Sequence, residues 1–333
     1  MRGEKETTVE SFRRASELWM ERVQPRLKES SIVKYRNIIN IHLLPYFREM
    51  NMTDITSADV LAFCNTLIRP EEKGALRRSP KTAVDILTVL KAIYKFASRE
   101  GGFECAVRDW PSVGQFQRPL RVLSLSEQHR LSSYLLEHLT LCNLGILLCL
   151  YTGMRIGEIC ALKWEDISFE ESTIQIRRTM QRLQRRDAEG KKTVLLISSP
   201  KSSCSIRSIP LPDEIFSLVV ERRESDASFF LTGKENRYME PRTMQNRFKT
   251  IIRKCGISDA NFHSLRHTFA TRCVELGFDI KSLSEILGHS NVNITLNRYV
   301  HPSMEQKRKN MNLLSVYLSS DHKTGKNVIG ENS

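Results

Sequence analysis

Leu144-Gly145-Ile146-Leu147-Leu148-Cys149-Leu150-Tyr151-Thr152-Gly153-Met154-Arg155-Ile156-Gly157-Glu158-Ile159 carries the reading on which the fold turns. It opens with the longest apolar run of the chain, Leu144 to Tyr151. That run falls far short of the ~18 residues of a membrane span and suits a buried helix. Arg155 then stands at a glycine-flanked helix start directly behind it. A guanidinium there is costly without a strong partner. A phosphate would serve, because the guanidinium grips two oxygens at once. A carboxylate such as Glu158 would serve equally well and would make Arg155 purely structural.

Working outward, Ser124-Leu125-Ser126-Glu127 has the form of a capping box, so a domain of helices starts there and continues to about Lys163. Beyond it the periodicity changes. Ile174, Ile176 and Arg178, then Val194 to Ile197, then Ile206 to Leu211 read as three short runs of a small antiparallel sheet. The charged stretch Arg182 to Lys192 is expected at an exposed hairpin tip. Helices return from about Pro241 to Tyr317. Upstream, Val9 to Val23, a run after the cap-like Ser30-Ser31, Ser57 to Leu67, and a segment from Ser79-Pro80 to about Arg99 predict four amphipathic helices. The fold class is therefore mainly α with a small antiparallel β-sheet. The expected divisions are a disordered N-terminus (1–8), a helical domain (9–100), a linker (101–121), a second domain (122–318) and a polar tail (319–333).

The 333 residues carry a net charge of +13, which favours a polyanionic partner through counterion release. No signal region follows Met1, and the eight cysteines form no C-x-x-C pair, so a cytoplasmic protein with reduced thiols and no membrane partner is expected. Three further segments complete the chemistry. In His263-Ser264-Leu265-Arg266-His267, His263 and Arg266 share a helix face. Leu287-Gly288-His289-Ser290 reads as a helix C-cap, a histidine at a tight corner and an N-cap serine. Tyr299 follows ten residues after His289. Lys201, in Pro200 to Leu211, stands at a hairpin turn where a flexible ammonium reaches into a groove. No metal site and no cofactor are expected, since no acidic partner stands at ligand spacing from the histidines. Taken singly, each segment has a bland reading: a salt-bridged Arg, a chance H-x-x-R, a core Tyr, a surface Lys.

Together and in this order, T-G-x-R-x-x-E with a later L-x-W, a hairpin Lys, H-x-x-R, L-G-H and a Tyr ten residues on resemble the tyrosine recombinase (phage integrase) family. The resemblance covers about 122–318, and the N-terminal helices match that family's core-binding, SAM-like domain. It implies an α+β catalytic domain behind a helical core-binding domain. It implies Arg155 and Arg266 as phosphate-binding arginines, Lys201 as general acid, and His263 as general base or hydrogen-bonding residue. His289 matches the family's second histidine and Tyr299 its nucleophile. Strands would be cut and rejoined through a 3′-phosphotyrosine, with a homo-tetramer on paired double-stranded core sites. Phages, conjugative elements and chromosome-dimer resolution all use this chemistry, and the charged Arg182–Lys192 hairpin points toward integration or excision of a mobile element. An excisionase or other accessory DNA-binding protein is compatible with this scheme. Lys81 and Lys91 are candidates for contact with the DNA backbone. Arg242, Asn246 and Arg247, on the helix before H-x-x-R, are candidates for the groove. A type IB topoisomerase, or a relative that binds DNA without cutting it, would share part of this pattern. A relaxation assay set against a paired-site recombination assay separates the enzymes.

Overall fold

A computed structural model describes residues 10–68, 78–114, 119–187, 190–200 and 203–300, and beyond them 304, 307–308, 311–312, 314–315 and 318. The expected disordered N-terminus (1–8) and polar tail (319–333) lie outside the described residues, as does Lys201. The chain forms two compact units, Met1–Pro119 with Gln181–Leu196, and Leu120–Met180 with Ile197–Ser333.

The first unit is built on α1 (Phe12–Val23), α2 (Glu29–Ile38), α3 (Leu44–Phe47), α4 (Ser57–Ile68) and α5 (Pro80–Gly101). Ser79 caps α5 by accepting from the Thr82 amide, and Pro80 sits where a missing N–H costs nothing. The start of α2 departs from expectation. It begins at Glu29 behind Lys28, so Ser30 and Ser31 lie inside its first turn rather than at its cap. Between α2 and α3 the helix widens to π geometry over Ile39–Leu43. Pro45 explains this, because it lacks an N–H and its ring crowds the carbonyl four residues back. Phe12, Phe47 and Phe63 pack at ring separations of 5.3 and 4.9 Å, and Ile86, Leu90, Ile93 and Tyr94 of α5 are fully buried in the same core. Truncating any of these phenylalanines to alanine would cost roughly 3–5 kcal/mol. The antiparallel ribbon of β3 (Thr179–Asp187) and β4 (Gly190–Ser198) extends through most of the stretch expected as a hairpin tip. Residues 188–189 between the strands are outside the described set.

In the second unit α6 (Leu125–Glu137) starts at the expected capping box of Ser124 and Glu127. Next, α7 (Leu141–Thr152) buries ten of its residues, as a helix apolar on all sides must. It ends at Gly153, whose φ of 66° is left-handed, and α8 (Ile156–Ala161) begins after Arg155. Strands β1 (Ile167–Ser168), β2 (Thr173–Ile176) and β5 (Arg207–Pro210) form an antiparallel sheet in the order β1-β2-β5, with Ile174 opposite Ile209 and Ile176 opposite Arg207. Val194 to Ile197 thus belongs to the separate β3–β4 ribbon, so the three expected runs occupy two sheets. Helices α9 (Asp213–Glu221), α10 (Pro241–Lys254), α11 (Phe262–Glu275), α12 (Ile280–Leu287) and α13 (Val292–Tyr299) complete the unit. Asn291, rather than Ser290, caps α13 by accepting from the Asn293 amide. Among the described residues no helix is long and apolar enough to cross a membrane.

Candidate active site

The C-terminus of α12 organises the site. The last carbonyls of a helix lack partners within it and carry the negative end of the helix dipole. Here three consecutive carbonyls each receive a guanidinium. Arg207 Nε donates to Ile286, Arg266 Nη2 to Leu287 at 2.7 Å, and Arg155 Nη2 to Gly288 at 3.1 Å. Arg266 Nη1 also donates to the Gly153 carbonyl at 2.9 Å, tying the α7 C-terminus into the same knot. Gly288, at φ 66°, makes this convergence feasible. A Cβ there would be strained by the backbone and would lie 3.0 Å from Arg207 Cδ and Nη1.

Three guanidiniums in one spot repel one another, and the compensating charge is Glu158. Its carboxylate accepts from the Arg155 amide at 2.9 Å and from Arg155 Nη1 at 2.7 Å. It also accepts from Arg207 Nη1 at 3.1 Å and Nη2 at 2.9 Å. Burial raises the Glu158 pKa, but hydrogen bonding and charge from Arg207, then charge from Arg155, outweigh it and lower the value to about 2. Arg155 is paired with Glu158, and its side chain is still 35% exposed.

Arg266 is buried, and burial together with the Arg155 charge lowers it to about 9, which leaves it protonated at neutral pH. Its Nη2 also lies 2.9 Å from His289 Nε2. Arginine can only donate, so Nε2 is the accepting nitrogen. The proton of a neutral ring therefore sits on Nδ1, which faces Thr295 Oγ1 at 2.8 Å. Burial first, then the charges of Arg266 and Arg155, lower His289 to about 3. His263 stands on the exposed edge of α11, where removal of water by its neighbours and the charges of His267 and Arg266 lower it to about 4. Its ring packs edge-on against His267 at 4.4 Å. His263 also lines a cleft of about 270 Å³ with Met154, Ile156, Gln245, Lys249 and Asn261.

Tyr299 ends α13 with 6% of its surface exposed, its ring among Ala270, Cys273, Leu283 and Leu287. Its hydroxyl meets His267 Nδ1 at 3.0 Å, and its ring lies parallel to that of His289. Burial raises its pKa, while the nearby charges of Arg266 and Arg298 pull it down. The phenol is thus buried but stands beside the arginine cluster of its own chain. Arg155, His263, Arg266, His289 and Tyr299 converge, and Lys201 falls outside the described residues.

Sequence reasoning missed four contributors: Arg207, His267, Thr295 and Arg298. One left a signal: His267 lies one turn beyond His263 on α11. Arg207 shares the inward face of β5 with Ile209. Of the DNA-contact candidates, Arg242, Asn246 and Arg247 are exposed on α10 opposite buried Met244 and Phe248. In the other unit Lys81 is exposed, and the Lys91 ammonium rests 5.3 Å over the Trp110 ring. Among the described residues no group of three His, Cys, Asp or Glu side chains is placed to hold a metal ion.

The phage integrase family pattern matches residues 122–306, and that of the phage integrase N-terminal SAM-like domain matches residues 11–68. A tyrosine recombinase XerC-like protein of Caldanaerobacter subterraneus subsp. tengcongensis is 28% identical over 320 residues, 87% of this chain and 78% of that one. The fold resembles the Tn1549 transposon integrase in complex with transposon right end DNA. That match has a TM-score of 0.70 and 23% identity, covering 90% of this chain and 99% of the other. It also resembles a lambda integrase tetramer bound to a Holliday junction, with a TM-score of 0.60 and 17% identity, covering 88% and 79%.

Proposed function

Since the chain belongs to the phage integrase family, and is thereby a tyrosine recombinase that cuts and rejoins DNA strands site-specifically, we propose that Tyr299 is its nucleophile and that Arg155 and Arg266 bind the scissile phosphate. The observation carrying this reading is the convergence of Arg155, Arg266 and His289 beside the Tyr299 hydroxyl within one chain.

A phosphodiester resists attack because its nonbridging oxygens are negative and its leaving alkoxide is poor. Guanidiniums fixed in advance by the carbonyls of α12 stabilise charge developing on those oxygens without reorganising, which is the largest electrostatic contribution such a site offers. His263, neutral at pH 7, would supply a hydrogen bond at the rim of the phosphate, and His289, whose Nε2 accepts from Arg266 and whose Nδ1 faces Thr295, would do so on turning its ring. Lys201 is the candidate acid for the departing 5′ oxygen. Attack would leave a 3′-phosphotyrosine and a free 5′ hydroxyl. The covalent link stores the bond energy, so joining needs no nucleotide cofactor.

Residues 9–100 would act as the core-binding domain and 122–318 as the catalytic domain, each binding double-stranded DNA. Arg242, Asn246 and Arg247 would face the groove, and Lys81 and Lys91 the backbone. Exchange between two duplexes calls for four protomers. Met304, Met311, Leu314 and Leu318 beyond Tyr299 are exposed apolar side chains available to a neighbour. Leu313, Val316 and Tyr317 of that segment lie outside the described residues. Integration or excision of a mobile element is the proposed setting, supported by the likeness to the Tn1549 transposon integrase. An excisionase is a candidate accessory partner, and the cytoplasm the proposed compartment.

The test is a nicked suicide duplex carrying the element's core site. The wild-type chain should become covalently attached to DNA. Tyr299→Phe, which removes only the hydroxyl, should bind the duplex and form no adduct. An adduct on the Phe variant would identify another nucleophile. Arg155→Ala and Arg266→Ala should cut at least about 10²-fold more slowly with binding retained.

A further inference from the structure

Tyr299 must lose its hydroxyl proton as it attacks, and the groups around that oxygen divide sharply by chemistry. Arg266 and Arg298 lie close enough to bias the phenol, but guanidiniums carry donors only and cannot receive a proton. His289 presents its ring face parallel to the phenol, its Nε2 already accepts from Arg266 and its Nδ1 faces Thr295. Among the described residues the remaining neighbour is His267, whose Nδ1 stands 3.0 Å from the Tyr299 oxygen. Among the described contacts no hydrogen bond joins His263 to Tyr299. Both partners of the His267–Tyr299 pair are buried, at 7% and 6% exposure, so bulk water is a poor competitor for the proton.

We propose that His267 is a catalytic residue of the cleavage step, orienting the Tyr299 hydroxyl through Nδ1 and accepting its proton as the tyrosine oxygen bonds to phosphorus. This rests on Tyr299 being the nucleophile. It moves the base from His263, which the family motif suggested, to the residue one helical turn further along α11.

The step balances. The Tyr299 oxygen forms its bond to phosphorus and the bond from phosphorus to the 5′ oxygen breaks. The phenolic proton moves to His267 Nδ1, and the 5′ oxygen takes a proton from the acid. In rejoining, His267 returns its proton to the departing phenol oxygen. Burial and the charges of Arg298 and Arg266 lower His267 to about 4, which keeps the ring neutral and Nδ1 open as an acceptor at pH 7. A weak base suffices here. Once the phenol oxygen is partly bonded to phosphorus its proton is far more acidic than that of free phenol, and transfer is required only at that point.

The test compares wild type, His267→Ala, His267→Asn and Tyr299→Phe in single-turnover cleavage of the nicked suicide duplex. A second duplex carries sulfur in place of the bridging 5′ oxygen. Asn keeps an acceptor near the Nδ1 position and cannot take up a proton. Both His267 variants should bind DNA as wild type does and cleave about 10²-fold or more slowly. Sulfur should not restore their rates, because a thiolate leaving group relieves the need for an acid and not for a base. Cleavage at the wild-type rate by His267→Ala, restoration by sulfur, or full activity in His267→Asn would each overturn the assignment. An adduct on Tyr299→Phe would instead overturn the choice of nucleophile, so the two failures are distinguishable.

Discussion

Arg207 lies as a two-pronged fork on Glu158, Nη1 and Nη2 at 3.1 and 2.9 Å from the two carboxylate oxygens, with side chains only 5% and 3% exposed. Breaking one side of a buried pair leaves a charge without adequate solvation, at a cost of about 3–5 kcal/mol. Arg155 remains to hold Glu158, so Arg207→Met should fall at the lower end, roughly 3 kcal/mol. For a unit of this size that corresponds to a Tm about 10 °C lower. A change within a degree or two in calorimetry would mean that the fork contributes little and Arg155 alone holds the carboxylate.

The same carboxylate makes stability depend on acid. Glu158 has a folded pKa of about 2 against an ordinary 4.5, so the unfolded chain binds the proton more readily. Its contribution, roughly 3 kcal/mol, is fully present above pH 4.5 and is lost as pH falls through 2. Urea midpoints measured from pH 5 to pH 2.5 should fall for the wild type. Glu158→Gln should show a shallower slope over this interval. Parallel slopes would remove Glu158 as the cause.

How much of this was legible differs from residue to residue. Gly153, Gly288 and the box at Ser124 and Glu127 were readable because their effect is local, on φ or on one amide. The pairing of Arg155 with Glu158 was readable because the two lie one helical turn apart. Arg207 was not, since Ile206 and Ile209 flank it and the pattern drew attention to the isoleucines. In fact Ile206 is 54% exposed, and Arg207 takes the inward face opposite Ile176. What draws it inward is a carboxylate 49 residues earlier and a carbonyl 79 residues later, which no local window contains. His267 was hidden differently. Its spacing from His263 was visible, but its partner Tyr299 sits two helices on, and only the fold brings them together.

The site histidines should be uncharged in the DNA-free protein well below the usual range. Neighbours that keep water from the exposed His263 ring, then the charges of His267 and Arg266, lower it to about 4. Burial, then the charges of Arg266 and Arg155, lowers His289 to about 3, and burial with Arg298 and Arg266 lowers His267 to about 4. Each folded value lies below the ordinary 6.5, so the unfolded chain takes up these protons first. Stability from these rings is present above pH 6.5 and declines as pH drops from there toward 4. Proton NMR of the imidazole C–H signals, assigned by single substitutions, should show all three rings neutral at pH 5.5. Titration of any of them near 6.5 would mean that the ring is solvated and that the arginines do not act on it.

Thr295 offers the most selective probe of how the site is held. It is fully buried, and its hydroxyl faces His289 Nδ1 at 2.8 Å while the other ring nitrogen accepts from Arg266. Valine matches threonine in shape, so Thr295→Val removes the hydroxyl without opening a cavity. It leaves the Nδ1 proton unpaired, or lets the ring turn so that Nε2 no longer meets Arg266. Losing a buried partner costs about 1–3 kcal/mol. Folding should therefore weaken by that amount, and single-turnover cleavage should slow about 10-fold with DNA affinity unchanged. Thr295→Ser, which restores the hydroxyl and leaves a methyl-sized gap, should recover the rate of cleavage more fully than the stability. If serine and valine cleaved equally slowly, packing under α13 would be the cause, and the hydrogen bond to His289 would have no part in orienting the ring.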